Sequence, residues 1–540
     1  MTAVLLALRL GRWGMVGFGL AAVVATFVQT VGFYQIAGHT AVERATFGAT
    51  MVALAAQFVA LFPPPLAPGT VGGYVQFRGF NALTILFTVW ALAAATGFAR
   101  GDEERGTVES ALATGISRLG LVASRLTAFA IGVAAASLAA GAGFLLGVAT
   151  GHESVEALGV VEACALLVGV GLASYGIALL VAQLTEARYA TAAAAVVLLA
   201  LYFVNSLGRT FSWLSSWRWI SPFRYYELSQ PLPPGGYFDF RGFVVLASVG
   251  LVCSAAAALA FDRRDLGAAL LRPPARAATP RFEPSANPLW GVPVIRGLYE
   301  RGPGVVVWAA GMAFLAALFV SLTRTLVQVL LSIPTLLPYL SIFIHQQVYP
   351  AVLGYTWFNV AQLLFAGLAV THVARWAAED VDGRLEMMLS QPISRAAAVV
   401  ERMAILIAAG LIIAAVSGGT LFFAAHSQGI DLNVGRLVTA SLLLVPFALV
   451  FAAAGSILAS WNPRAAVGFL GAFAFASYLD SELGTIFKLP PWLQDLSAFK
   501  LFGTPLVTGV DGRNLALMLL LVVAGIGTSI LLMQRRDVGA

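Results

Sequence analysis

The stretches DEERGTVESALATGISR at 102–118 and EDVDGRLEMMLSQPISR at 379–395 are dense runs of charge in a chain that has little elsewhere. They correspond residue by residue. Gly106, Glu109, Ser117, Arg118 and Arg125 recur, at one constant offset, as Gly383, Glu386, Ser394, Arg395 and Arg402. The match extends outward: FNALTILF at 80–87 pairs with FNVAQLLF at 358–365, and SPFRY at 221–225 with SAFKL at 497–501. The two halves even close alike, on Arg263-Arg264-Asp265-Leu266 and Arg535-Arg536-Asp537-Val538. The chain therefore reads as an internal duplication. Two copies with matching sequence and matching work belong on one side of any membrane they sit against, and that requirement sets the fold.

The membrane itself follows from composition. Of 540 residues, 59% are hydrophobic and only 11% charged, and the mean hydropathy is +0.86; soluble domains carry roughly a quarter charged residues. Apolar runs of about 20 residues are long enough to cross a hydrocarbon core of ~30 Å as helices, and they do not alternate as barrel strands would. The fold class is all-α integral membrane. Runs near 14–33, 80–99, 119–148, 157–184, 190–207 and 242–261 give six spans, and runs near 304–323, 355–376, 396–424, 437–459, 465–480 and 514–533 give six more. This predicts two tandem six-helix repeats, 1–266 and 304–540, joined by a Pro-rich linker at 267–303.

Arginine placement orients the repeats, because positive residues near span ends resist translocation. With the N-terminus inside, Arg9, Arg12, Arg100, Arg105, Arg118, Arg125, Arg188 and the linker arginines are cytoplasmic, and both termini lie inside. The apolar stretches 45–62 and 325–343 are not counted as spans: a seventh span per half would put the two charged runs on opposite faces. They are read as outer-face or re-entrant segments. The aromatic 212–226 stretch suits an outer headgroup layer. Net charge is +6, but the arginines are scattered at the ends of apolar runs, so nucleic acid is not an expected partner. Cys164 and Cys253 sit in apolar segments, where a thiol packs as a small hydrophobe.

Both charged runs then fall on the cytoplasmic side, between the second and third spans of their halves. Val108, Ala111, Leu112 and Ile116, like Leu385, Met388, Leu389 and Ile393, recur at helical spacing, with Glu109 and Glu386 off the stripe. Each run predicts a short amphipathic helix entered through Gly106 or Gly383 and followed by a span capped by Ser117 or Ser394. A helix that only sealed the headgroup layer would not place Asp102, Glu103, Glu104 and Glu109, or Glu379, Asp380, Asp382 and Glu386, against anionic lipid. The acidic ledge suggests a protein partner.

These residues carry a resemblance. EERGTVESALATGISR is similar to the Glu-Glu-Arg-Gly-Thr-x-Glu…Ser-Arg stretch of permease subunits of type-2 ABC exporters, and the twelve-span layout resembles the fused permeases that export polyketide antibiotics and other drugs. The resemblance implies that Glu104, Arg105, Gly106, Thr107 and Glu109 form a coupling helix seated in a separate ATPase subunit. Glu103 adjoins it, and Asp380, Asp382, Gly383 and Glu386 would form the second coupling site, where Val381 and Asp382 stand in place of the Glu-Arg pair. It also implies two copies of a cytoplasmic ABC ATPase as partner, with ATP and Mg bound there and no cofactor on this chain. Consistent with that division, no Gly-x-x-x-x-Gly-Lys-Ser/Thr loop occurs and Lys488 and Lys500 are the only lysines.

No catalytic or metal-binding residues are expected: His39, His152, His345, His372 and His426 are dispersed, and no Ser-His-Asp or Cys-His set is indicated. Candidates for a substrate path are the polar residues in or near spans, namely Gln29, Asn81, Thr84, Glu162, Asn205, Asn359 and Gln362. The sparse intramembrane charge favours a hydrophobic or amphipathic substrate, drug-like, antibiotic-like or lipid. The expectation is thus a non-catalytic exporter permease of the cell membrane. An ion-coupled twelve-span carrier is the alternative, and it would need buried carboxylates of which Glu162 is the one evident example.

Overall fold

The computed structural model describes residues 2–57, 59, 63–270, 288–332, 348–381, 383–483, 490, 494 and 497–536. Among these the chain is helical throughout, without a strand beyond one isolated bridge between Gln230 and Tyr237. It forms two compact units, Met1–Thr279 and Pro280–Ala540, each with its own apolar core.

In the first unit the helices are α1 (Thr2–Ile36), α2 (Ala41–Gln57), α3 (Val71–Glu104), α4 (Thr107–Ala113), α5 (Arg118–Thr150), α6 (Ala157–Leu184), α7 (Ala187–Leu207), α8 (Pro222–Glu227) and α9 (Phe240–Arg263). α1, α3, α5, α6, α7 and α9 are long and apolar enough to cross a bilayer. α6 is buried along most of its length, apart from a stripe through Val161, Ala165, Val168 and Leu172. α3 begins nine residues before the expected run at 80 and carries two π-helical segments, Gln76–Phe80 and Gly97–Gly101. Such bulges shift side chains off the regular helical face, and the second one contains Arg100.

Most of the 45–62 stretch lies in α2, and residues 58 and 60–62 lie outside the described residues. α2 has 17 residues, and Thr40 and Glu43 form a capping box at its start: Glu43 Oε2 accepts from the His39 and Thr40 amides at 2.9 and 3.0 Å, and the Glu43 amide donates to Thr40 Oγ1 at 3.2 Å. These bonds to the charged form hold the Glu43 carboxyl below the usual carboxylate range. α2 is not among the helices long enough to span.

In the second unit the helices are α10 (Pro293–Ser332), α11 (Val348–Val381), α12 (Arg384–Leu389), α13 (Arg395–Ser427), α14 (Val434–Trp461), α15 (Pro463–Leu483), α16 (Ala498–Phe502) and α17 (Gly512–Arg535). α10, α11, α13, α14 and α17 qualify as spans, making eleven among the described residues, and within α15 a shorter apolar helix runs over Ala466–Ser481. Two expectations change. The linker reading extended to 303, yet α10 starts at Pro293, because proline is well tolerated in a first helical turn. α10 also continues to Ser332, so the first part of the 325–343 stretch is the end of this 40-residue helix rather than a separate segment. Residues 333–347 and 271–287 lie outside the described residues.

α1 and α5 pack closely in the first unit. Thr26 Oγ1 donates across to the Ala140 carbonyl at 2.8 Å. A methyl group built on Gly143 would lie 2.5 Å from the Val23 carbonyl oxygen and 2.9 Å from its Cα. Lipid tails are as apolar as the helices, so close backbone approach between small residues supplies the attraction that burial cannot. Gly143→Ala should therefore force the helices apart and lower stability by about 1–3 kcal/mol. Gly32→Ala, in open space on α1, should leave stability near wild type. Thermal unfolding of the purified chain in one detergent checks the pair.

Candidate functional site: a charged ledge and a polar centre at the far end

The ledge of the first unit is a turn and a short helix. Gly106 adopts φ +69°, a left-handed conformation costly for any side chain bearing a Cβ, and Gly383 adopts φ +73° at the same place in the second unit. Thr107 Oγ1 donates to the Asp102 carbonyl at 2.8 Å, closing the turn. Val108 is 2% exposed and Leu385 1%; Ala111, Leu112 and Ile116 also pack on the first core, and Leu389 on the second. The apolar stripe thus packs on the protein's own core. Ser117 Oγ accepts from the Gly120 amide at 3.0 Å and Ser394 Oγ from the Ala397 amide at 3.1 Å, capping α5 and α13.

The acids divide into two sets. Glu103, read from sequence as part of the outward ledge, is instead buried: it pairs with Arg264 and accepts from Arg100 Nη1 at 3.1 Å. Asp102 pairs with Arg125 at 2.7 Å and with Arg105 at 2.8 Å. In the second unit Glu379 pairs with Arg402 at 2.7 Å, and Asp380 pairs with both terminal nitrogens of Arg536 at 2.7 and 3.2 Å. Asp380 is therefore also an internal partner, not a surface charge. The reason is proximity to the span ends, where a low-dielectric surround makes an unpaired carboxylate expensive. Glu104, Arg105 and Glu109 face outward, as do Arg384 and Glu386. Asp382 lies outside the described residues.

Arginines anchor each ledge to its last span. Arg118 Nη1 donates to the carbonyls of Phe261, Asp262 and Arg264 at 3.0, 3.3 and 2.6 Å, at the C-terminus of α9. Arg395 Nη1 donates to those of Met533, Gln534 and Arg536 at 2.7, 3.2 and 2.7 Å, at the C-terminus of α17. These carbonyls have no partner within their helix, and a cation there also meets the negative end of the helix dipole. Arg100 does the same for α6, donating to Ala182 at 2.8 Å and Thr185 at 2.6 Å.

A second polar constellation lies at the opposite end of the first unit, where α3 begins and the 208–239 connection joins α7 to α9. Glu227 ends α8 and pairs with Arg209 and Arg218. Asn205, fully buried, donates from Nδ2 to Glu227 Oε1 at 2.6 Å and accepts from Arg218 Nε at 3.3 Å. Burial, together with the neighbouring Arg224 and Arg209 charges, pushes the Arg218 guanidinium below its ordinary range. Asn81 and Thr84 line a void of about 20 Å³ with Tyr202, Arg209, Tyr226 and Glu227, room for about one water. Three of the polar candidates, Asn81, Thr84 and Asn205, thus meet around Glu227.

The other four do not join them. Gln29 lies beside Gly79 on α3. Glu162 sits half-buried in the second turn of α6, and Asn359 and Gln362 lie in the middle of α11, in the other unit. Among the described residues no three His, Cys, Asp or Glu side chains are grouped as metal ligands would be.

The family described as "Multidrug efflux system permease Rv1217c, C-terminal domain" matches residues 1–262 and 299–533. The chain belongs to this family. No curated protein matches it. A multi-pass membrane permease with a role in transport accounts for the eleven long apolar helices.

Sequence reading of this permease missed Glu227 as a centre, and Arg100, Arg264 and Arg536 as ledge anchors. The signal for the last two was available, since the Arg-Arg-Asp endings of both halves recur, but only the fold shows that the second arginine of each reaches the ledge. Glu103→Ala would leave Arg100 and Arg264 buried without their carboxylate, a loss of about 3–5 kcal/mol. Asp380→Ala should cost less, because Arg536 is 26% exposed and can be hydrated. Unfolding midpoints of the two purified variants measure the difference.

Proposed function

We propose that this permease is the transmembrane subunit of an ATP-driven ABC exporter, with two six-span repeats, both ledges and both termini on the cytoplasmic side of the cell membrane, and a separate ATPase supplying the energy. α15 serves as the twelfth span in this arrangement. ATP and Mg belong to two copies of the ATPase, one seated on each ledge, and the cargo is a hydrophobic or amphipathic compound such as a drug or antibiotic.

One observation carries the reading. Each ledge helix turns its apolar side inward and its charges outward, while its root is held by arginines at the end of the last span. A partner that pulls on Glu104, Arg105 and Glu109, or on Glu386, moves a rigid segment tied to a membrane helix. That is the mechanical requirement for coupling. Charge-assisted bonds to basic groups on the ATPase suit the outward acids, and the left-handed glycines let the ledge project. Membership in a multidrug efflux permease family supports export as the direction and breadth of cargo as its character.

Replacing Glu109 or Glu386 with Arg reverses charge on an exposed face without touching the apolar stripe, so unfolding midpoints should stay at wild type. In the reconstituted complex, substrate-stimulated ATP hydrolysis and export should fall about tenfold or more with Glu109→Arg, and less with Glu386→Arg because the second ledge lacks the Glu-Arg pair. Co-purification of the ATPase separates lost docking from lost coupling. Wild-type stimulation and transport in both variants would remove these glutamates from the coupling surface.

A further inference from the structure

A cavity of about 920 Å³ opens in the first unit at the end away from the ledge, between Val59, Pro63 and Pro64 on one side and the 209–241 connection on the other. This is the volume range of a small-molecule site. Four guanidinium groups face it, from Arg209, Arg218, Arg224 and Arg241, against two carboxylates, Glu227 and Asp239. Both carboxylates are already engaged. Glu227 pairs with Arg209 and Arg218 and accepts from Asn205. Asp239 caps α9, its Oδ1 accepting from the Arg241 and Gly242 amides at 2.9 and 3.1 Å.

Two cations are left over. Arg224 lies over the Trp219 ring at 5.0 Å, Arg241 is exposed, and neither forms an ion pair among the described residues. Burial, and after it the charges of Arg224 and Arg209, depress the Arg218 guanidinium, so Arg224 stands close enough to Arg218 to repel it. An anion placed among them relieves that repulsion.

The remaining wall is apolar, with Pro63, Phe238 and Phe240. On the same connection Trp213, Trp217 and Trp219 are 72%, 58% and 53% exposed, an aromatic cluster of the kind that sits at headgroup depth. Cationic and apolar walls therefore meet on the connection that carries these tryptophans.

We propose that this cavity binds an anionic amphiphile, its phosphate-type head held by Arg224 and Arg241 and its apolar body along Pro63, Phe238 and Phe240, drawn from the surrounding leaflet. The site is distinct from the ledge and does not depend on the identity of the energy source.

The test uses the full chain in nanodiscs of phosphatidylcholine. Phosphatidylglycerol carrying a brominated acyl chain is titrated in, with brominated phosphatidylcholine and inorganic phosphate as parallel arms, and tryptophan quenching and native mass spectrometry as readouts. Phosphatidylglycerol should bind at least about tenfold more tightly than phosphatidylcholine, and Arg224→Gln with Arg241→Gln should abolish that preference. Arg241→Gln alone, at an exposed position, should already weaken it several-fold with the unfolding midpoint unchanged. Equal binding of the two lipids, or a preference untouched by the substitutions, overturns the proposal. Displacement of the lipid by equimolar inorganic phosphate also overturns it, since that is the behaviour of a site for a free anion.

Discussion

The ion pairs that Glu103 makes with Arg264 and Arg100 are the constraint on which the first unit's working end depends. A carboxylate at 8% exposure is tolerable only with partners, and each partner is itself engaged elsewhere: Arg100 on carbonyls at the end of α6, Arg264 on Gln183 at 2.7 Å and on the Ala268 carbonyl at 3.0 Å. One buried carboxylate therefore ties together the end of α3, the end of α6 and the segment after α9. Removing any member strands a charge, so the group moves together. The second unit repeats the plan more lightly. Among the described residues Asp380 pairs with Arg536 alone, and Ala377 stands where Arg100 would be.

Rigidity in the spans has a different origin. α6 and α14 are wrapped by neighbours and need no polar face, and α1 meets α5 through glycines that admit the opposing backbone. Packing of this kind transmits displacement without much give. The ledge arginines deliver any load to helix ends, where the backbone carbonyls are free to accept it. Ledge, last span and central helix are thus tied together within each half, and the outward glutamates take no part in those ties.

At the far end the chemistry is electrostatic rather than mechanical. Glu227 neutralises part of an arginine cluster and leaves the rest facing a cavity beside exposed tryptophans. The cavity's charge imbalance and its apolar wall are the two features on which the proposed anionic amphiphile rests. The two ends of the unit consequently present different surfaces: exposed glutamates on the ledge at one, a surplus of arginines around a cavity at the other.

Composition and periodicity determined the helical membrane class, most span positions, the short amphipathic ledge helices, their left-handed glycine entrances and the serine caps. Each of these is a local property: an apolar run needs lipid, a turn needs a residue without Cβ, and a helix start needs a side-chain acceptor. Only tertiary structure decided which charges stay on the surface. Glu103 and Glu104 are adjacent in sequence and equally acidic, yet one is buried and the other exposed, because Arg264, 161 residues away, reaches only the first. In the same way Asn81, Asn205 and Glu227, scattered in sequence, meet through the packing of α3, α7 and α8. Local pattern specifies a helix and its apolar face. The partner of a charge is set by which helix ends the fold brings within about 3 Å, and the linear sequence does not contain that distance.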